Sequence, residues 1–301
     1  MKKIKLSLIG GGHGLSTILY SVKDFSYLSA IVAVTDTGGS TGKIRVKFDC
    51  PAIGDIRKCI DVLGNVQLKD IFERRIRDYG DCVGNLLIAS LIKLYDFDTA
   101  IKIMQKLLGL KETHRILPVS LDSFDINGTY RNKKIITKET DFDEEEKIDK
   151  VWLNPIPKPN PEALEAIKNS DYVIIVPGSF FTSILATLLV PQIAEEINQK
   201  KVIWFVNVIQ QYGETIGMDG ESHADYLLQF INHIDFAIVN NTRPSEEVLK
   251  KYESYLMPII HLAKRDNIAN IIETDLIKYN ERGAVHSPQK VFKVLRKILN
   301  V

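Results

Sequence analysis

The sequence predicts an α/β protein whose core is a doubly wound, mostly parallel sheet. Short apolar runs rich in valine and isoleucine alternate with helical patterns along most of the chain, as in parallel strands that are connected by helices. The run at residues 28–34 has no polar face, so we expect helices to cover both sides of the sheet. Glycine-rich segments follow the first two runs, at the strand ends where open α/β sheets bind their ligands.

Length, composition and charge exclude several classes of protein. The chain has 301 residues, of which 45% are hydrophobic and 26% charged, and we expect one α/β domain over residues 1–301. A formal net charge of +1 does not fit a nucleic-acid-binding protein, and no apolar run is long enough to span a bilayer. Cys50, Cys59 and Cys82 lack the spacing of metal ligands, and such cysteines are typical of a reducing compartment.

The first part of the chain is expected to form strands and helices in alternation. Strands are predicted at residues 4–9 and 28–34, and helices at residues 15–22, 53–63 and 83–94. Residues 53–63 carry apolar side chains on one face, whereas residues 83–94 are apolar almost all round, which predicts a buried helix. Asp98 is expected to cap a further helix that ends near Leu108.

Residues 114–153 are expected to form a β-rich insertion or lid within this domain. Residues 116–120 and 125–137 alternate polar and apolar side chains as strands do. The asparagine–glycine pair at residues 127–128 is typical of a hairpin turn. The acidic run at residues 141–149 is expected in a loop or on a helix face that is exposed to solvent.

The second part of the chain returns to alternating helices and strands. Asn160 followed by Pro161 predicts the start of a helix that ends near Asn169. Strands are predicted at residues 172–176, 202–207, 236–239 and 257–261, with helices after residue 183, up to residue 230, after residue 245 and over residues 289–299.

The first glycine loop follows the strand at residues 4–9. Gly11, Gly12 and Gly14 can present backbone N–H groups and the start of a helix to a phosphate. Leu15 stands where a dinucleotide-binding loop has its third glycine, and the Lys-Ser/Thr pair of a P-loop is absent. A simple strand-to-helix turn needs fewer glycines, so the pattern favours phosphate binding over a turn alone.

The second loop starts with Asp36 and continues through Gly38, Gly39, Ser40 and Thr41. Asp36 lies about 20 residues beyond the first loop, where a site for NAD has an acid that binds the ribose. Such a site does not require a second glycine turn, so the pattern argues against that role. Asp36 could instead hold a divalent metal or a substrate hydroxyl, or cap the N–H groups of its own loop, and the sequence leaves these alternatives open.

Two later segments carry further candidates for phosphate binding. Asp55 and Arg57 fall on the first turn of a predicted helix, where the guanidinium suits bidentate contact with a phosphate, and an ion pair between the two is the alternative. Ser179, Thr182 and Ser183 open a helix after a buried strand. Their hydroxyls could donate to a phosphate or cap that helix.

Polar residues also follow the strand at residues 202–207. Asn207 and Glu214 need hydrogen-bond partners if they are buried. His13 and His223 lie near the predicted loops, but neither has further metal ligands within reach in the sequence. The chain has no Cys-x-x-Cys motif and no Cys–His pair with supporting context, so acyl transfer is disfavoured and no catalytic residue is identified.

Six ordered motifs resemble the bacterial gluconeogenesis factors of the YvcK type. They are IGGGHGLS from Ile9, TDTGGSTGKIR from Thr35, GDIRKC from Gly54, GNLL from Gly84, PGSFFTS from Pro177, and Asn207 followed by GET from Gly213. The resemblance extends from residue 4 to about residue 260. The wider superfamily includes the CofD-type 2-phospho-L-lactate transferase, which uses magnesium and a guanylylated donor. The resemblance implies a Rossmann-like fold of three layers and a cytoplasmic protein.

The resemblance also implies a function and a set of site residues. Members of the YvcK type bind UDP-sugars and are linked to central carbon metabolism and cell shape, so a regulatory protein that binds a nucleotide-sugar is expected. The alternative is a magnesium-dependent transferase that uses a nucleoside-diphosphate-linked donor of the phospholactate or phosphoenolpyruvate type, with Asp36 and Asp55 as metal ligands. An NAD(P)-dependent dehydrogenase is disfavoured by the missing third glycine, and a homodimer is implied by analogy. The residues expected to line the ligand cleft are Gly11, Gly12, His13, Gly14, Asp36, Gly38, Gly39, Ser40, Thr41, Asp55, Arg57, Asn85, Gly178, Ser179, Thr182, Ser183, Asn207 and Glu214.

Two positions depart from the pattern of the family. Thr37 follows Asp36 where many members have an acid or asparagine, which weakens the case for a metal held by paired carboxylates. Asp81 stands at the histidine position of the run Ser-Gly-His-x-x-Gly-Asn, here residues 79–85. If that position contacts the ligand, a carboxylate there would alter the choice of ligand or abolish turnover.

Overall fold

The computed structural model of the protein describes residues 3–64, 66–76, 81–144, 146–250, 252, 256–281 and 283–301. Its strands are β1 (Ile4–Gly10), β2 (Ser26–Val32), β3 (His114–Pro118), β4 (Asp125–Tyr130), β5 (Ile135–Ile136), β6 (Ile148–Asn154), β7 (Tyr172–Ile175), β8 (Lys201–Phe205), β9 (Ile234–Asn240), β10 (Ile268–Thr274), β11 (Ile277–Asn280) and β12 (Gly283–His286). Its α-helices are α1 (Gly12–Val22), α2 (Gly39–Phe48), α3 (Gly54–Leu63), α4 (Val66–Glu73), α5 (Val83–Ile92), α6 (Phe97–Leu107), α7 (Pro161–Lys168), α8 (Ala186–Leu188), α9 (Ile193–Ile197), α10 (Gly220–Leu227), α11 (Glu246–Leu249) and α12 (Pro288–Leu299). A 3₁₀ turn covers Glu139–Asp141, and a π-helical segment covers Phe180–Leu185.

Within the described residues, seven strands form a parallel central sheet in the order β10-β9-β8-β7-β1-β2-β3. Leu8 of β1 is in register with Ala30 of β2 on one side and with Ile174 of β7 on the other. From β1 and β7 the chain proceeds outward in opposite directions. Their boundary is therefore the topological switch point, where ligand clefts form in open α/β sheets.

Both faces of the central sheet are covered. Leu8 and Ile9 are adjacent in β1 and point to opposite faces, yet each is fully buried. The helix α1 contacts α3 and α12, while α7 contacts β2 and β3. This arrangement confirms the predicted α/β fold, and it explains why the central strands are continuous apolar runs.

The predicted capping residue is confirmed for α7 and corrected for α6. In α7, the Asn160 side chain accepts a hydrogen bond from the N–H of Glu162 at 3.0 Å, with Pro161 at the first helical position. In α6 the capping residue is Asp96 and not Asp98, because Asp96 Oδ1 accepts from the N–H of Thr99 at 2.9 Å. Asp98 lies in the first turn instead, where its charge favours the start of the helix.

The β-rich segment differs from the prediction in two respects. Its antiparallel sheet, in the order β5-β4-β6 within the described residues, excludes the strand predicted at residues 116–120, which belongs to β3 in the central sheet. The pair at residues 127–128 lies inside β4, and the chain turns between Tyr130 and Lys134. A Cβ on Gly128 would lie 2.7 Å from the carbonyl oxygen of Lys150, so this glycine permits close pairing of strands rather than a turn.

Two further predictions are wrong for identifiable reasons. The strand at residues 257–261 is an isolated bridge between Pro258 and Ile209, because proline has no N–H to donate to a ladder. The edge strand is β10 instead. The helix α5 is only partly buried, since Leu87 is 43% exposed on its outer face. In the acidic run, residues 142–144 and 146–147 are irregular, as a loop is, whereas Ile148 and Asp149 already belong to β6.

None of the helices in the described ranges has both the length and the apolar character that crossing a bilayer requires.

Candidate functional site

A polar cavity of about 310 Å³ lies where the C-terminal ends of β1, β2 and β7 meet. We call this cavity the cleft. It occupies the switch point of the sheet, as the strand order predicts. The residues that line it are Gly12, His13, Gly14, Ala33, Thr35, Asp36, Asp55, Lys58, Glu139, Gly178, Ser179, Thr182, Ser183 and Gln211.

The first glycine loop packs tightly against its neighbours. A Cβ on Gly14 would lie 1.5 Å from the carbonyl oxygen of Pro177, and a Cβ on Gly11 would lie 2.4 Å from Asp55 Oδ2. Gly12 has a φ of +63° and no atom within 4 Å of the position of a Cβ. Close packing therefore accounts for Gly11 and Gly14, whereas Gly12 provides the left-handed backbone beside the cleft.

Asp55 connects the first glycine loop to α3. Its Oδ2 accepts a hydrogen bond from the N–H of Gly12 at 2.7 Å, and its Oδ1 accepts one from Lys58 Nζ at 2.8 Å. The Asp55 side chain is 11% exposed and the Lys58 side chain 29%. Both carboxylate oxygens are thus engaged by protein donors, and the N–H of Gly12 points at a carboxylate.

Arg57 does not line the cleft. It is buried beneath α5, where a Cβ on Gly84 would lie 2.8 Å from Arg57 Cδ. Its Nε and Nη1 have no hydrogen-bond partner among the described residues. Lys58 is the one lysine or arginine that lines the described cleft. Sequence reasoning missed it, although a lysine three residues after Asp55 shares a helix face with it.

Asp36 caps its own loop and also lines the cleft. Its Oδ1 accepts a hydrogen bond from the N–H of Gly38 at 2.8 Å, which is one of the alternatives that the sequence left open. Burial raises the pKa of the Asp36 carboxyl, and the nearby charge of Asp55 adds to this effect. Gly39, Ser40 and Thr41 form the start of α2 next to this carboxylate and lie outside the cleft lining.

The β-rich segment contributes Glu139 to the cleft. Glu139 Oε2 accepts hydrogen bonds from the N–H and the hydroxyl of Thr37, each at 3.3 Å. Burial raises the pKa of the Glu139 carboxyl, and the charge of Asp36 raises it further. The predicted lid therefore reaches the second loop. No local pattern singled out Glu139, because its partner lies 102 residues away in the sequence.

Glu214 supports the wall of the cleft from behind. Its carboxylate accepts hydrogen bonds from the N–H groups of Phe181 and Thr182 at 2.8 and 3.2 Å, and from the Thr182 hydroxyl at 3.0 Å. Burial raises the pKa of the Glu214 carboxyl. The Asn207 side chain also supports this wall: it accepts a hydrogen bond from the N–H of Gly178 at 3.0 Å and donates one to the Gly178 carbonyl at 2.8 Å. Both side chains fix the loop after β7.

A second compartment of about 190 Å³ adjoins the cleft and shares His13, Gly14, Gly178 and Gln211 with it. Its other lining residues are Thr17, Pro177, Asn207, Val208, Ile209, Ala284, Val285 and His286. These are mostly apolar. His286 is buried, which lowers its pKa to about 4, and its Nε2 has no hydrogen-bond partner among the described residues. Sequence reasoning did not foresee the contribution of β12.

The remaining predicted residues lie away from the cleft lining. Asn85 donates to the Ser40 hydroxyl at 3.2 Å behind the second loop. His223 is packed against Phe180, its ring N–H donates to the Asp219 carbonyl at 2.7 Å, and burial lowers its pKa to about 4. Asp81 does not line the cleft, and residues 79–80 lie outside the described residues. Of the predicted residues, the cleft lining contains Gly12, His13, Gly14, Asp36, Asp55, Gly178, Ser179, Thr182 and Ser183. It does not contain Gly11, Gly38, Gly39, Ser40, Thr41, Arg57, Asn85, Asn207 or Glu214.

A magnesium ion in the cleft would require carboxyl groups of the protein as ligands. Among the described residues, no group of three or more histidine, cysteine, aspartate or glutamate side chains is arranged to hold a metal ion. The ammonium of Lys58 occupies one oxygen of Asp55. A magnesium ion beside Asp36 would therefore need further oxygen ligands from a bound phosphate, as is common for this ion.

Comparisons with known proteins give one consistent family. The model of the 2-phospho-L-lactate transferase CofD family matches residues 7–280. A gluconeogenesis factor of Bacillus subtilis is 31% identical and aligns with 99% of this chain and 99% of its own length. A gluconeogenesis factor of Halalkalibacterium halodurans is 36% identical and aligns with 84% of this chain and 82% of its own length. A crystal structure of a Bacillus halodurans protein is similar to this chain with a TM-score of 0.90 at 30% identity, covering 98% of this chain and 99% of that one.

Proposed function

The chain belongs to the CofD family, in the group of the gluconeogenesis factors, and on this premise we propose that it binds a nucleotide-sugar of the UDP-sugar class. The proposed role is regulatory, in central carbon metabolism and cell shape, with the bound nucleotide-sugar as the signal. The proposed regulator acts in the cytoplasm, binds no nucleic acid and forms a homodimer.

The observation that carries this proposal is the pairing of the cleft with the second compartment. The polar cleft, with Lys58 and hydroxyl groups in its lining, suits an anionic group. Its volume of about 310 Å³ falls at the lower end of the range of about 300–1,000 Å³ for small-molecule sites. The adjoining compartment is less polar and suits a ring. A nucleotide-sugar has this composition, with a charged diphosphate between two uncharged ring systems.

The second candidate function is a magnesium-dependent transferase that uses a nucleoside-diphosphate-linked donor. Two observations favour it: the matching family model is that of a 2-phospho-L-lactate transferase, and Asp36 faces the cleft beside Glu139. In this alternative a magnesium ion would contact Asp36 and the diphosphate and neutralise charge during transfer. Asp55 is a poor second ligand, because Lys58 and Gly12 already engage its oxygens.

Isothermal titration calorimetry separates the two candidates. UDP-glucose, UDP-N-acetylglucosamine, GDP-mannose and NADH are titrated into the protein, each in the presence of magnesium or of EDTA. The regulatory proposal predicts binding of a UDP-sugar with the same affinity in both conditions. Magnesium-dependent binding of GDP-mannose would favour the transferase. A lack of affinity for every UDP-sugar would contradict the regulatory proposal.

A further inference from the structure

We infer that Lys58 is the residue of the cleft that contacts the anionic group of the ligand, and that it bridges this group to Asp55. The inference rests on the proposed function, because it concerns the recognition of a diphosphate in the same site. It assigns to Lys58 the contact that sequence reasoning gave to Arg57.

The geometry leaves Lys58 with donors to spare. A lysine ammonium has three N–H donors. One of them is directed to Asp55 Oδ1 at 2.8 Å, and the Lys58 side chain is 29% exposed at the lining of the cleft. The remaining donors can reach a bound anion without breaking the bond to Asp55. Asp55 is itself held by the N–H of Gly12, so it fixes the position of Lys58.

The charge of the cleft favours this contact. Asp36, Asp55 and Glu139 all line the cleft, and Lys58 is the one lysine or arginine among its described lining residues. A diphosphate would enter a site that already carries three carboxyl groups. Without a cation next to it, the diphosphate would be repelled by these groups in a partly buried site, where charges interact more strongly than in water.

In this structure Arg57 is not placed to contact an anion in the cleft. Its side chain is buried on the other side of α3, against Gly84 and beneath α5. Residues two apart on a helix point in nearly opposite directions, whereas residues three apart share a face. Asp55 and Lys58 therefore face the cleft together, and Arg57 faces the interior.

The test compares a ligand that carries the diphosphate with one that lacks it. UDP-glucose is titrated by calorimetry and uridine by ligand-detected NMR, both in EDTA, into the wild-type protein, Lys58→Met and Lys58→Arg. We expect Lys58→Met to weaken UDP-glucose binding by about 10- to 100-fold, because one hydrogen bond from a charged group is lost. Uridine has no diphosphate, so its binding should be unchanged. Lys58→Arg keeps the charge and should restore most of the affinity. UDP-glucose binding should also depend less on salt in Lys58→Met than in the wild type.

Lys290→Met is the matched control, because Lys290 also pairs with an aspartate, Asp275, but lies outside the cleft. It should bind both ligands as the wild type does. If the wild-type protein binds none of the UDP-sugars, the proposed function itself is wrong. If it binds UDP-glucose and Lys58→Met binds it equally well, only the inference about Lys58 is wrong. Equal weakening of UDP-glucose and uridine would show a structural role for Lys58 and would also overturn the inference.

Discussion

The two sides of the cleft are held in place by different kinds of contact. On the side of α3, the buried carboxylate of Asp55 makes short bonds of 2.7 and 2.8 Å to Gly12 and Lys58. On the side of the β-rich segment, Glu139 makes two bonds of 3.3 Å to Thr37, and Thr140 beside it is exposed. Shorter hydrogen bonds to charged groups stabilise more than long ones. The side of α3 is therefore the firmer of the two.

This difference implies that the two sides of the cleft have different roles. In the proposed function the firm side supplies Lys58 for the diphosphate, at a position that its bond to Asp55 fixes. The side of the β-rich segment carries a second carboxyl group, Glu139, next to Asp36. Each prediction below perturbs one side and leaves the other in place.

The largest effect is expected from Gly14→Ala. The new Cβ would lie 1.5 Å from the carbonyl oxygen of Pro177, a backbone atom that a rotamer change cannot move away. The first glycine loop and the loop after β7 would have to separate, which should lower the free energy of unfolding by at least about 3 kcal/mol. Urea unfolding followed by circular dichroism measures this loss.

Gly12→Ala is the control for the same loop. Its Cβ would meet no atom within 4 Å, so only the left-handed backbone, with a φ of +63°, is strained. We expect a loss of about 1–2 kcal/mol. If the two variants were destabilised equally, close packing against Pro177 would not be the reason for a glycine at position 14.

Sequence reasoning located the cleft because glycine loops after apolar strands are local patterns. The positions of Gly12, Asp36 and Ser179 in its lining follow from strand ends and topology alone. Sequence reasoning singled out Arg57 and did not consider Lys58, although helical periodicity places only residue 58 on the face of Asp55. Residue 57 is rotated by about 200° from residue 55 around α3, and residue 58 by about 300°, close to the same face.

Other features were beyond the reach of local patterns. The bond between Glu139 and Thr37 joins residues 102 apart, and His286 reaches the second compartment from β12, close to the end of the chain. Glu214 is a different case. The sequence predicted that it would need hydrogen-bond partners if buried, and the resemblance placed it in the ligand cleft; in the structure its carboxylate accepts from the N–H groups at the start of the π-helical segment. A buried acid satisfies whichever donors surround it, and these are known only once the chain is folded.

An intermediate effect is expected from Asp55→Asn, which weakens the firm side. The substitution removes the charge that Lys58 pairs with, while the amide oxygen can still accept from the N–H of Gly12. We expect a loss of about 1.5–3 kcal/mol in the free energy of unfolding, as is typical of hydrogen bonds to charged groups in partly buried sites. Urea unfolding measures this loss.

Asp275→Asn is the control. It breaks a more exposed pair with Lys290 and should lower the free energy of unfolding by no more than about 1 kcal/mol. A cost for Asp55→Asn as small as that of the control would remove the distinction between the two sides.

The smallest effect is expected on the other side, from Glu139→Gln, and it should depend on pH. The pKa of Glu139 in the folded protein is raised above its ordinary value of 4.5. The folded state therefore holds the proton more tightly than the unfolded state, and this contribution to stability is lost as the pH rises through the raised pKa. Glutamine keeps an oxygen for the N–H of Thr37 and carries no charge.

Glu139→Gln should therefore be more stable than the wild type at pH 7, by about 1 kcal/mol or less, and the difference should vanish near pH 4. Urea unfolding of both proteins at the two pH values measures this difference, which includes the electrostatic relief of Asp36 and Glu214, because both carboxyl groups interact with the charge of Glu139. A stability difference of the same size at both pH values would mean that the charge of Glu139 does not strain this side of the cleft. The looser contact of this side would then arise from its long hydrogen bonds alone.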